Sequence, residues 1–163
     1  MPAVTLRPLR DGDEPFLRAL YASTREVELA VLPPSMHAAF TNSQYDAQRM
    51  HYERVYAGAT WSVIEADRSP VGRLIVDRRG DPWLLVDIAI VPTARDCGIG
   101  TRLITELQDE AGRAGRDLVL TVRVDNPLAR KLYSRLGFVP RATGEHDHTH
   151  ITMASSRGKG RTR

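Results

Sequence analysis

Several familiar classes of protein are excluded by what this chain does not contain. Its 163 residues hold one cysteine, so no internal disulfide forms, and no Cys/His grouping has the spacing of a zinc site. No apolar run approaches the ~18 residues of a membrane span, and no charged-then-apolar leader opens the chain. The expectation is a cytoplasmic protein with no membrane association. Acid is missing from the end of the chain, where Arg157, Lys159, Arg161 and Arg163 meet no Asp or Glu. Removing those four leaves 19 basic residues against 20 acidic ones, so the net charge of +3 belongs to the tail and the body is near neutral. We expect one domain over residues 1–154 and a basic, disordered tail over 155–163. Nucleic-acid binding through that tail is the weaker reading, a solvated terminus the stronger. His146, His148 and His150 alternate as on one strand face, but no fourth ligand accompanies them, and no metal is expected.

What is present centres on Trp83 to Ile104, WLLVDIAIVPTARDCGIGTRLI. Leu84 to Val91 form a nearly continuous apolar run, rich in β-branched residues, that predicts a strand buried on both faces, stopped by Pro92. Gly98-Ile99-Gly100-Thr101 then opens a helix with apolar Leu103, Ile104, Leu107 and Ala111 at helical spacing. A helix start carries unpaired amides and about half a positive charge, and glycines let a ligand reach them. A phosphate is the natural occupant. Gly100-Thr101-Arg102-Leu103 supplies neither the Gly-Lys-Ser/Thr of a P-loop nor the third glycine of a dinucleotide fingerprint.

Around this unit the pattern predicts a strand at Val4–Arg7 and a helix capped by Asp11 or Asp13 with Phe16, Leu17, Leu20 and Tyr21 on one face. A short helix over Arg25–Leu32 is broken by Pro33-Pro34. A longer one over Met36–Tyr56 carries Gln44, Gln48 and Tyr52 on one face, either lining a cleft or forming a half-exposed polar stripe. Trp61–Ala66 and Val71–Asp77 flank turn residues and read as a hairpin. Leu118–Val124 is a further strand, Asn126-Pro127 starts a helix closed by Gly137, and Phe138–Arg141 and His150–Ala154 are the last strands.

Arg95-x-x-Gly98-x-Gly100 after a strand, followed by LTVRVDNPLARKLYSRLGF from Leu120 to Phe138, resembles the GNAT superfamily of N-acetyltransferases. These motifs and the strands between them span roughly residues 60–140. The resemblance implies an α/β (α+β) fold with a mixed, mostly antiparallel sheet of six to seven strands, about four flanking helices, and a splay between the central strands. It implies acetyl-coenzyme A as cosubstrate, no metal, and direct transfer to a primary amine in a ternary complex. A non-catalytic acyl-coenzyme A sensor on the same fold is the alternative. Homodimers are frequent in the superfamily, so a dimer stays open.

Carried onto this chain, the resemblance implies that backbone groups of Ile88, Ala89 and Ile90 pair with the pantetheine and acetyl oxygen. Arg95 flanks the diphosphate, and amides of Cys97, Gly98, Ile99, Gly100 and Thr101 cradle it. Asn126 bonds the pantetheine arm or only caps its helix. Tyr133 protonates the departing sulfur or packs in the core. The acceptor amine, with a pKa near 10, is neutral only about one part in a thousand at pH 7, so a base is needed. Asp87, a charge inside an apolar strand, is that base or half of a structural salt bridge; Glu28, Glu65 and His148 are reserves. Cys97 is set aside as a nucleophile, because it sits at the diphosphate end. Substrate selection is expected from Tyr21–Leu32, Gln44–Tyr52 and Glu145–Thr152, whose letters show neither an acidic pocket nor an aromatic cage.

Overall fold

The computed structural model describes residues 1–142 and 148–156; Glu145, His146 and the tail from Arg157 onward lie outside them. The chain divides into two compact units, one of Met1–Ile75 with Asp87–Cys97, the other of Val76–Val86 with the residues from Gly98 on. Among the described residues seven strands, β1 (Val4–Pro8), β2 (Thr60–Ala66), β3 (Ser69–Asp77), β4 (Trp83–Ile90), β5 (Leu118–Arg123), β6 (Val139–Pro140) and β7 (His150–Ser155), run in the order β1-β2-β3-β4-β5-β7-β6. Among the described residues no helix is long and apolar enough to cross a membrane.

The first unit starts with β1 (Val4–Pro8), antiparallel to β2 (Thr60–Ala66) in a register from Val4↔Ala66 to Pro8↔Ser62. The turn into β3 (Ser69–Asp77) places Asp67 and Arg68 at φ 49° and 68°, the paired left-handed conformation that matches hairpin twist. Three helices lie between β1 and β2: α1 (Glu14–Ser23), α2 (Glu26–Ala30) and α3 (Pro34–Val55). As the spacing requires, α1 buries Leu17, Leu20 and Tyr21, and Tyr21 meets Tyr45 of α3 edge-on at 5.9 Å. Asp13 precedes α1 but makes no side-chain cap. Its carboxylate accepts instead from both terminal nitrogens of Arg7 at 2.8 Å and from the Arg10 amide at 2.8 Å. A bidentate guanidinium outbids a lone helix amide; these hydrogen bonds, opposed by burial, pull the Asp13 pKa down to about 2.

Strand β4 (Trp83–Ile90) follows β3. The expected burial on both faces does not hold: Leu85 is buried and its neighbours are half-buried. A continuous apolar run implies full cover in a parallel sheet with helices on both faces. Here only one pairing of β4 is parallel, to β5 (Leu118–Arg123), over Trp83↔Leu118 and Leu84↔Val119. The strand continues six residues past that register.

In the second unit α4 (Ile99–Arg113) buries the stripe Ile99, Leu103, Ile104, Leu107 and Ala111. It ends at Gly115, φ 68°, with Gly115 N–H donating to Gly112 O and Arg116 N–H to Ala111 O, the glycine-closed C-terminus that pairs the last carbonyls. β5 is antiparallel to β7 (His150–Ser155) from Leu118↔Ser155 to Arg123↔His150, and β6 (Val139–Pro140) borders β7. Between β5 and β6 lies α5 (Pro127–Arg135), whose N-terminus Asn126 caps by accepting from the Ala129 amide at 3.2 Å.

Candidate active site

The segment from Ile90 to Arg102 is built to leave amides open. Pro92 ends the strand in a 3-10 turn over Pro92–Ala94. The guanidinium of Arg95 folds back, its Nε donating to the Ile90 carbonyl at 2.9 Å, which ties the turn to the strand end and leaves its terminal nitrogens exposed. Gly98 is the N-cap of α4 at φ 77°, a left-handed conformation that costs an L-residue about 1–2 kcal/mol. Being glycine it offers no side chain to cap the helix. The first helical bond runs from Arg102 N–H to Gly98 O at 3.0 Å, so the amides of Ile99, Gly100 and Thr101 have no partner inside the helix. With the helix dipole behind them these donors fit a diphosphate. Cys97 is exposed beside them, its thiol donating to Arg95 O.

The neighbouring strand end is shaped by a residue that sequence reasoning missed. A Cβ on Gly72 of β3 would clash with the Ala89 carbonyl oxygen of β4, so only glycine lets the two backbones approach there. A lone glycine inside an apolar strand is the signal that would have found it. Past this point Val91 N–H donates to Val71 O at 2.8 Å. Ile88, Ala89 and Ile90, whose backbones the family resemblance nominates, are all half-buried.

Asp87 is half of an ion pair. Its Oδ2 accepts from Nε and Nη2 of Arg73 on β3, at 3.0 and 2.9 Å, and Nη2 also donates to Oε1 of Gln48 on α3 at 3.0 Å. Arg73 is 4% exposed, and its guanidinium lies 5.7 Å from the ring centre of Trp61 on β2. Trp61 meets Tyr52 of α3 edge-on at 6.2 Å, and Tyr52 meets Tyr56 at 6.0 Å. Burial, reinforced by the charge of Asp87, pushes the Tyr52 phenol up to about 12, so it is a neutral donor at physiological pH. Of the three α3 residues sharing a face, Gln48 and Tyr52 belong to this cluster and Gln44 is exposed. The aromatic grouping that the letters did not show is therefore present, assembled from α3 and β2. Arg73 was overlooked too, although a cation in an apolar strand carries the same signal that singled out Asp87.

Tyr133 and Asn126 are placed by α5 of the second unit. Gly137, at φ 89°, closes the helix with its N–H on Ser134 O and the Phe138 N–H on Tyr133 O. This termination brings the residue after the glycine onto the last turn, and Phe138 packs edge-on against Tyr133 at 5.8 Å. The Leu-Tyr, Gly-Phe lettering is thus a capping device that fixes the half-buried Tyr133 ring. Gln108 of α4 supports it, Nε2 donating to Leu136 O at 2.9 Å and to Ser155 Oγ at 2.7 Å. Leu128 on the same helix is 80% exposed, so the apolar stripe of α5 begins only at Ala129.

The sequence profile described as the acetyltransferase (GNAT) family matches residues 18–138. The chain belongs to that family. Solved structures agree on the fold. PaiA N-acetyltransferase from Thermoplasma acidophilum, in complex with coenzyme A, superposes with a TM-score of 0.70 at 16% identity, over 94% of this chain and 99% of that one. The ribosomal-protein-S18-alanine N-acetyltransferase of Escherichia coli gives 0.62 at 22% identity, over 94% and 93%. A spermidine N-acetyltransferase SpeG chimera from Vibrio cholerae and hSSAT gives 0.65 at 20%, over 96% of each. The mixed, mostly antiparallel sheet of six to seven strands flanked by about four helices that is expected of a GNAT protein is the fold observed, with seven strands and five α-helices among the described residues.

Proposed function

We propose that this GNAT protein moves the acetyl group of acetyl-coenzyme A to a primary amine by direct attack in a ternary complex. The observation that carries the reading is the start of α4, where a left-handed glycine leaves the amides of Ile99, Gly100 and Thr101 open. Those amides, the Cys97 and Gly98 backbone and the free edge of Arg95 hold the diphosphate; backbone groups of Ile88 to Ile90 and the Asn126 side chain hold the pantetheine arm. Coenzyme A supplies an acyl carbon activated as a thioester. The acceptor nitrogen forms the new bond to that carbon as the bond to sulfur breaks. Asp87 takes the proton released from the amine, directly or through a water, and offsets a handicap of roughly 4 kcal/mol at pH 7. Tyr133 gives its hydroxyl proton to the departing thiolate. Structural neighbours named for spermidine and for a ribosomal-protein alanine support a primary amine as acceptor.

Calorimetry with coenzyme A and thiol-release turnover across an amine panel test this together. Saturable binding with turnover is expected. Binding without turnover of any amine makes the chain an acyl-coenzyme A sensor, and no binding removes the proposal.

A further inference from the structure

The cluster around Arg73 carries information about the acceptor. Arg73, 4% exposed, is committed to Asp87, Gln48 and the face of Trp61, so it offers little to a substrate carboxylate. Asp87 Oδ2 is engaged, while Oδ1 has no hydrogen-bond partner among the described residues and is not shut away from solvent. One carboxylate oxygen is therefore free, on a side chain 19% exposed. The nearby Arg25 is stacked on Tyr21 and paired with Glu28 at 3.4 Å, so that acid is partly spent as well. Tyr52 lies within reach of the Asp87 charge, and Trp61, Tyr52 and Tyr56 are half-buried rings in succession, with His51 6.0 Å from Tyr52. Ring faces and a single carboxylate oxygen attract one ammonium and the apolar group that bears it. A polycation would need further free acids, and an amino acid would need a free cation.

We propose that the acceptor is a monoamine on an aromatic or apolar body, its nitrogen directed to Asp87 Oδ1 and its body lying along Tyr52, Tyr56 and Trp61. The assignment rests on the transferase reading of Asp87. Tyr52, which stays protonated, adds a neutral donor to the same wall.

The test uses the full chain with acetyl-coenzyme A and measures thiol release with phenethylamine, hexylamine, spermidine and β-alanine. The kcat/KM for phenethylamine and hexylamine is expected at least tenfold above that for spermidine or β-alanine. Tyr52→Leu raises KM for phenethylamine at least fivefold with a smaller change in kcat, and Tyr52→Phe restores the preference. Circular dichroism checks that both variants fold. Calorimetry of phenethylamine on the coenzyme A-loaded protein gives a readout independent of turnover. Binding of phenethylamine with no amine acetylated sinks the transferase reading and keeps the site. Acetylation that favours spermidine or β-alanine overturns the site and keeps the transferase. Neither binding nor acetylation of the monoamines overturns the site as well.

Discussion

Replacing Asp87 by asparagine tests two roles at once, and the structure gives the means to separate them. The pair is asymmetric: the Arg73 side chain is 5% exposed and that of Asp87 19%. Asp87→Asn leaves a buried guanidinium with no counter-charge, held only by amide oxygens, that of Gln48 among them, and the Trp61 ring. Breaking a buried pair from one side costs 3–5 kcal/mol, and the remaining partners hold the loss here to about 3 kcal/mol, roughly 6–12 °C in Tm for a chain of this length. Arg73→Met leaves a carboxylate whose Oδ1 stays wet, so about 1–2 kcal/mol is expected. The double variant should be more stable than the sum of the two losses by about 1–2 kcal/mol. Urea unfolding followed by tryptophan fluorescence measures all four proteins. Turnover is then compared at a temperature where each is folded. If Asp87 is the base, Asp87→Asn costs about 10²–10⁴ in kcat/KM. That deficit shrinks as pH rises toward the amine pKa, where the acceptor loses its proton unaided, and it persists in the double variant. Additive stabilities would refute the ion-pair energetics. Recovery of activity together with stability in the double variant would show that the aspartate only holds Arg73.

Three further outcomes are expected. Tyr133→Phe lowers kcat at least tenfold while calorimetry finds coenzyme A affinity nearly unchanged, since Phe138 still packs on the ring; equal losses in both would make the hydroxyl structural. Gly98→Val forces a β-branched residue to φ 77° and abolishes saturable coenzyme A binding, with about 2 kcal/mol lost from stability; retained affinity would remove the turn from the site. Asp13, with its pKa held near 2 by Arg7, adds stability that is complete above about pH 4 and lost as pH falls from there toward 2. Urea midpoints measured over that range should drop more steeply in the wild type than in Arg7→Met, and parallel curves would contradict the pairing.

Local chemistry made much of this molecule legible in its letters. Asn126-Pro127 opens α5 and Gly137 closes it because capping and left-handed glycine act within a few residues. The same range explains why Pro92, Gly98 and the α4 stripe were readable, and why the two motifs were enough to suggest the family. Boundaries moved by a residue or two, and Asp13 was diverted from capping by an arginine on a strand.

What the letters could not carry is pairing between distant segments. Gly72 reads as an ordinary strand glycine until Ala89 lies against it. Asp87 is equally a base or a salt-bridge partner on paper, and Arg73, 14 residues earlier, decides which of its oxygens is free. Tyr52, Tyr56 and Trp61 are scattered aromatics in the sequence, and only the docking of α3 beside β2 makes them one wall. Helix ends and the glycine turn before α4 are fixed by neighbours in the chain, so sequence alone determined them. The cluster of Asp87, Arg73, Trp61, Tyr52 and Tyr56 depends on residues brought together through burial and side-chain electrostatics, and that only the tertiary structure decided.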